Sequence, residues 1–292
     1  MPNAKDIHYV VITPARDESL YIEKTIESVA SQTIKPVEWV IVNDGSTDDT
    51  GKIIDRYSNQ YPWIHTIHRE NRGFRKSGGG VIEAFYDGYN SLKSKDWDYV
   101  AKLDGDLSFG GDYFEKCFEY FKGNSKLGIA GGMVYHVING VDKLEKNPSF
   151  HVRGATKIYK KECWDAIGGL IKSPGWDTLD EVKANMLGWE TKSFPDLKLI
   201  HHRYTGNADG IWRNSVKNGT ADYISGYHPL FMFLKCTKRF FQKPYIIGSA
   251  GHFYGFLAGY IRNMPQVNDS RLINYLRRQQ INRLFFRESI WK

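Results

Sequence analysis

Two rhythms of apolar and polar residues alternate along the chain. "HYVVITP" (His8 to Pro14) and "VEWVIVND" (Val37 to Asp44) are short β-branched runs, each closed by a residue that ends a strand. Between them "ESLYIEKTIESVASQ" puts Leu20, Ile22, Ile26 and Val29 near helical spacing. "GSTDDTGKIIDRYSNQ" then offers Ser46, Thr47 and Asp48 as helix caps ahead of an apolar face at Ile53, Ile54 and Tyr57. "WIHTIHRE", "GGGVIEAFYDGYNSL" and "WDYVAKLDGD" continue the series as strand, helix and strand. Such alternation predicts an α/β fold of parallel strands joined by crossover helices, with ligands bound beyond the carboxyl ends of the strands. Further on, "LGIAGGMVYH" reads as a strand, "FHVRGATKIYKKECWDAIGG" as a strand leading into a helix, and "LDEVKANMLGW" as an amphipathic helix.

The conspicuous polar clusters fall at those strand ends. Arg16, Asp17 and Glu18 follow the first strand, where acidic residues also suit a helix N-terminus. Asp44 closes the second strand and could accept hydrogen bonds from a base or ribose. "ENRGFRKSGGG" combines glycines, which let backbone N–H groups approach an anion, with Arg72, Arg75 and Lys76. It lacks the spacing of a Walker A loop. The fourth strand ends in Asp104-Gly105-Asp106, two carboxylates without cysteine partners that suit a hard divalent cation, Mn²⁺ or Mg²⁺. An isolated Asp-Gly is more often a turn.

Taken in order and at these intervals, "VVITPARDES", "VIVNDGSTDDT", "ENRGFRKSGG" and "AKLDGDLSF" resemble the family 2 glycosyltransferases of the GT-A fold, over roughly Val10 to Tyr204. The resemblance implies a Rossmann-like, mostly parallel sheet flanked by helices, and an enzyme that moves a sugar from a nucleotide-diphosphate donor to a hydroxyl with inversion. It implies a base-binding set of Pro14, Ala15, Arg16, Glu18 and Asp44, with Asp104 near the ribose, Gly105 between the aspartates and Asp106 on the metal; Lys76 or Arg75 would touch phosphate. Relatives carry an acidic pair after a Gly-Gly segment, the aspartate being the general base. Here Gly168-Gly169 is followed by Trp176-Asp177, which selects Asp177, although Trp176 stands where an acid is usual and Asp180 competes. A histidine near "KLIHHRYTG" completes the metal shell in many such enzymes, and the sequence does not separate His201 from His202.

Composition changes the picture at the C-terminal end. The 292-residue chain has a net charge of +7. From Lys235 to Lys292 eleven Lys/Arg face only Asp269 and Glu288, a net +9, which leaves about −2 for everything before. A basic charge confined to an aromatic-rich tail argues against nucleic acid as partner. The expected division is a catalytic domain over 1–230 and a membrane-associating helical segment over 231–292. "PYIIGSAGHFYGFLAGYI" is short and glycine-rich for a span and suits a segment lying in a membrane interface or packed on the catalytic domain. "RLINYLRRQQINRLFFR" reads as a basic amphipathic helix for a membrane surface. Within it Gln280 and Arg283 match the Q-x-x-R-W motif of processive synthases, but Leu284 replaces the Trp, which argues against that class. Three scattered cysteines and no leader pattern point to a reducing compartment, at the inner face of the cell membrane. The expected partners are a nucleotide-sugar donor, UDP-linked, and a glycan or lipid-linked acceptor. A GDP-sugar, a polyprenyl-phosphate product or a non-catalytic sugar-nucleotide-binding role are the alternatives.

Overall fold

The computed structural model describes residues 7–73, 79–203, 210–241 and 245–291. Its strands are β1 (Tyr9–Ala15), β2 (Glu38–Asn43), β3 (Ile64–His68), β4 (Tyr99–Leu103), β5 (Leu107–Phe109), β6 (Leu127–Ile138), β7 (Val141–Leu144), β8 (Thr156–Lys160) and β9 (Glu190–His201). Its helices are α1 (Ile22–Ala30), α2 (Thr50–Gln60), α3 (Gly79–Ser91), α4 (Tyr113–Gly123), α5 (Lys161–Ile167), α6 (Trp176–Met186), α7 (Ile211–Ile224), α8 (Pro229–Arg239), α9 (Tyr245–Ile261) and α10 (Ser270–Leu284).

The strands form one sheet in the order β3-β2-β1-β4-β8-β6-β9-β5, with β7 paired to β6. The first four are mutually parallel, as the alternating pattern predicts. β8 then runs antiparallel to β4 and β6, and β5 antiparallel to β9, so the sheet is mixed rather than wholly parallel. Strands β1 and β2 are buried on both faces, and their residues alternate between two cores. Tyr9, Val11, Trp39 and Ile41 face a core built with α1, α2 and α4. Val10, Ile12, Val40 and Val42 face a second core built with α3, α5 and α6. Leu20, expected on the apolar face of the first helix, precedes α1 and is exposed.

A third core joins Leu179 and Val182 of α6 to Tyr223, Met232, Cys236, Phe256, Leu272 and Leu276 from the helices that follow. Helices α7 and α9 meet at backbone distance. A Cβ at Gly219 would run into the His252 carbonyl, and one at Gly255 into the Val216 carbonyl. Helix α10 buries Leu272, Ile273 and Leu276 against this layer, which takes up three of the four residues expected on its lipid-facing side; Leu284 is half-buried, and Phe285 and Phe286 just beyond the helix are exposed. Gln280 is fully buried and accepts a hydrogen bond from the His228 N–H at 2.8 Å.

Candidate active site

Parallel pairing sets the first half of the site. Ala15 is in register with Asn43, and the Asp44 N–H donates to the Ala15 carbonyl at 2.8 Å, so Pro14, Ala15 and Arg16 share one sheet edge with Asp44. Arg16 donates to the Asp44 carbonyl at 3.1 Å and to Asn71 at 2.9 Å. The Asp44 carboxylate is held between Arg69, at 2.5 Å, and Arg72. Arg69 gave no signal of its own in the sequence; its role comes from β3 ending beside β2. Lys76 and Arg75 lie outside the described residues.

The D-G-D segment leaves β4 toward the same edge. The backbone turns at Gly105 and Asp106. The φ of Gly105 lies outside the left-handed region, and what demands glycine is close approach: a Cβ there would stand 2.8 Å from Ile22 Cδ1 and 3.5 Å from Glu18 Cγ. This seats the aspartates directly on the first loop. Lys102, fully buried one residue pair upstream, donates to Asp104 and, at 2.6 Å, to the Gly154 carbonyl.

Strand β9 supplies the histidines, and their alternation separates them. His201 is buried and lies with Nε2 3.1 Å from Asp106 Oδ2. His202 points to the other side, where it bonds Ser108 Oγ at 2.9 Å and stacks on Tyr21 at 5.9 Å. Burial, and the nearby Lys24 charge, lower its pKa, whereas the Asp106 hydrogen bond and the two aspartate charges raise that of His201 despite burial. Arg203, the next residue, donates to Glu18 at 2.8 Å and comes within 4.0 Å of Asp106, a link the sequence did not announce.

The donor set fits a divalent cation. Asp106 Oδ1 and His201 Nδ1 are buried without a hydrogen-bond partner, which is costly unless something binds there. Burial raises the Asp104 carboxyl, Lys102 lowers it, and the Asp106 charge raises it further, for a net upward shift that a cation between the carboxylates would relieve. Among the described residues no three His, Cys, Asp or Glu side chains converge into a complete cage. A site short of protein ligands suits an ion that takes water and substrate phosphate as the rest of its shell.

The two aspartates of α6 have opposite surroundings. Asp180 is buried under Lys157, whose Nζ lies 2.8 and 3.0 Å from its two oxygens, and it accepts from Tyr159 at 2.5 Å. Lys157 also pairs with Glu181 at 2.8 Å, and Glu181 with His151 at 2.9 Å. Burial pushes the Asp180 carboxyl up to about 6 against the pull of Lys157. A carboxylate locked in this way is a brace rather than an open base. Asp177 sits in the first turn of α6 and is only partly buried. Burial works against its charge, but His151, Lys157, Arg153 and Lys102 outweigh it and hold the carboxyl below its usual range. Lys102 also acts on Asp104, and Arg153 on His201, so the same cations serve Asp177 and the metal side. Trp176, in the place of the usual acid, lays its ring 5.3 Å from Lys102 Nζ and 5.6 Å from Lys157 Nζ. Gly175, which opens α6 at φ 81°, leaves no room for a side chain against Ser225 of α7's end, so the helical layer abuts the start of the Asp177 helix.

The model of glycosyl transferase family 2 matches residues 10–171, the stretch that carries this sheet edge and the D-G-D segment. The chain belongs to that family. Glycosyltransferase GlyA of Streptococcus pneumoniae is 32% identical over 240 residues, 75% of this chain and 34% of that protein. Chondroitin synthase of Escherichia coli is 28% identical over 133 residues, 46% of this chain and 17% of that protein. The chain thus spans about a third of one of these curated relatives and about a sixth of the other. Among solved structures, S. aureus TarS 1–349 in complex with UDP-GlcNAc has a TM-score of 0.57 at 16% identity, covering 96% of this chain and 93% of that one. Mannosyltransferase PcManGT from Pyrobaculum calidifontis, in complex with GDP-Man and Mn²⁺, also scores 0.57, at 14% identity, covering 94% and 80%. At such identity the likeness concerns architecture, and the fold is GT-A with a C-terminal helical appendage.

Proposed function

We propose that this family 2 member transfers a sugar from a UDP-linked donor to a hydroxyl of a growing glycan or lipid-linked acceptor, with inversion, in cell-surface glycan synthesis. The observation that supports the reading is the approach of the two groups at Gly154: a Cβ there would stand 3.1 Å from the Asp177 Cβ, and Lys102 donates to both the Gly154 carbonyl and Asp104, next to the Asp106–His201 pair.

In this reading Arg16 and Asp44, clamped by Arg69 and Arg72, hold the base, and Pro14, Ala15 and Glu18 shape its pocket. Asp104 faces the ribose. Asp106 and His201 would hold Mn²⁺ or Mg²⁺, which when bound neutralises charge on the leaving diphosphate. Arg203 adds a second positive charge on that side. Asp177 takes the proton from the acceptor hydroxyl as its oxygen attacks the anomeric carbon from the face opposite the diphosphate, which inverts the configuration. The buried Lys157–Asp180–Glu181–His151 network holds the start of α6 in place, with Lys157 also donating to the Asp177 carbonyl. Against burial, His151, Lys157, Arg153 and Lys102, with the helix N-terminus, keep Asp177 ionised in the resting site.

The test is mass-spectrometric identification of products after the chain is incubated with membranes and a panel of nucleotide sugars, with and without Mn²⁺. Sugar transfer from a UDP-linked donor that requires the ion is the expected result. Turnover with GDP-sugars alone would replace the donor assignment, and binding without transfer or hydrolysis of any donor would overturn the enzyme reading.

A further inference from the structure

The layer formed by α7, α8 and α9 turns one side inward and leaves the other apolar and uncovered. On α8, Met232 and Cys236 are buried, while Leu230, Phe233 and Leu234 are exposed at helical spacing, continued by Phe241 just past the helix end at 79% exposure. On α9, Gly251, Gly255 and Gly259 face α7, and the opposite stripe carries Ile246, Tyr254, Leu257 and Ile261, the last 82% exposed. The stripes are continuous. Phe233 meets Phe253 at 6.2 Å between α8 and α9, and Tyr254 meets the exposed Trp212 of α7 at 5.9 Å. So many large apolar side chains in one patch mark an interaction surface.

Charge selects the occupant. The only acidic residue between 210 and 263 is Asp222, and it is turned inward, paired with Lys235 at 2.6 Å and His252 at 2.8 Å. Arg213, Lys238, Arg239 and Arg262, on the same three helices or just past α9, are exposed. We propose that this face docks the protein onto an anionic lipid bilayer. Aromatic rings with a basic margin suit the headgroup boundary, where rings and aliphatic side chains enter the acyl region and lysine and arginine reach lipid phosphate. A second copy of the same face would bring like charges together across a two-fold axis. Helix α9 is 17 residues long, and no helix among the described residues is long and apolar enough to cross a membrane, so the layer lies on the bilayer rather than across it. The inference does not depend on the donor chemistry. It does couple to the site, because α7 abuts Gly175 at the start of α6, and docking would present the Asp177 end of that helix in a fixed attitude to the membrane.

The test is co-sedimentation of the full chain with phosphatidylcholine vesicles, with and without phosphatidylglycerol, in the absence of donor and acceptor. Retention on the phosphatidylglycerol vesicles that weakens with salt is expected. The double variant Phe241→Ser, Ile261→Ser should lower the bound fraction about tenfold, and Lys238→Glu with Arg262→Glu should lower it while leaving UDP-induced thermal stabilisation unchanged. All four positions are exposed, and an unaltered melting temperature verifies the fold. A wild-type chain that stays in the supernatant with both vesicles overturns the proposal. So does a dimer in light scattering that Phe241→Ser, Ile261→Ser splits, which would assign the face to a second copy. Loss of transferase activity in other assays leaves this readout untouched.

Discussion

Asp106 and His201, far apart in the sequence, meet with Oδ2 3.1 Å from Nε2, and each keeps one buried polar atom without a hydrogen-bond partner. Asp106, in the turn between β4 and β5, meets His201 at the end of β9 because β5 pairs β9, with Leu107 opposite His201. The following prediction rests on that pair. UDP should raise the melting temperature only with Mn²⁺ or Mg²⁺, and Asp106→Ala should abolish the rise. His201→Asn should weaken it, and His202→Asn, which removes only the Ser108 contact and the Tyr21 stack, should leave it nearly intact. Equal losses at both histidines would contradict the geometry.

Asp177 and Asp180 should separate by phenotype. Asp177→Asn should retain donor binding and lose about 10²–10⁴-fold in transfer rate. Asp180→Asn should act on folding, since it leaves Lys157 short of a buried partner, at a cost of about 3–5 kcal/mol. Urea denaturation and single-turnover transfer measured on both variants decide the matter; a stable Asp180→Asn with the larger kinetic defect would move the base to Asp180.

The crossing of α7 and α9 admits no side chain. Gly219→Ala and Gly255→Ala should each destabilise by about 1–3 kcal/mol through backbone displacement, read as a lower thermal midpoint. Gly123→Ala, where a Cβ would meet nothing, serves as the control.

His252 gives the appendage a pH dependence. Burial lowers its pKa; its Nε2 bonds Asp222 of α7 and its Nδ1 lies 3.2 Å from Arg239 of α8, with Lys235 also nearby, so the ring is held neutral. A group depressed in the folded state contributes stability above its unfolded pKa, and that stability is lost as pH falls from about 6.5 toward the folded value. Urea midpoints between about pH 7.5 and 5.5 should fall less steeply in His252→Asn than in the native chain. Parallel slopes would exclude His252 as the source.

Much of the catalytic half was legible because it is local. The β-branched runs with helical stretches between them lie where β1 to β4 and α1 to α3 form, and the clusters of Arg16–Glu18, Asp44 and Asp104–Asp106 meet at one sheet edge. Arg69, Lys102, Arg153 and Arg203 were not singled out, since a lone cation in a strand or loop carries no periodic signal. The nearest thing to one was Lys102 inside the otherwise apolar β4, a buried lysine that pairs with Asp104.

The sequence by itself determined the succession of the first four strands and three helices and the residue types at their strand ends, because period and side-chain chemistry act over a few neighbours. Tertiary structure alone decided which of Asp177 and Asp180 stays open, which histidine reaches Asp106, why Gly105 is glycine, and which face of the basic tail stays exposed. Each of those turns on burial and on charges contributed by distant segments, and neither quantity is written at the position whose behaviour it controls.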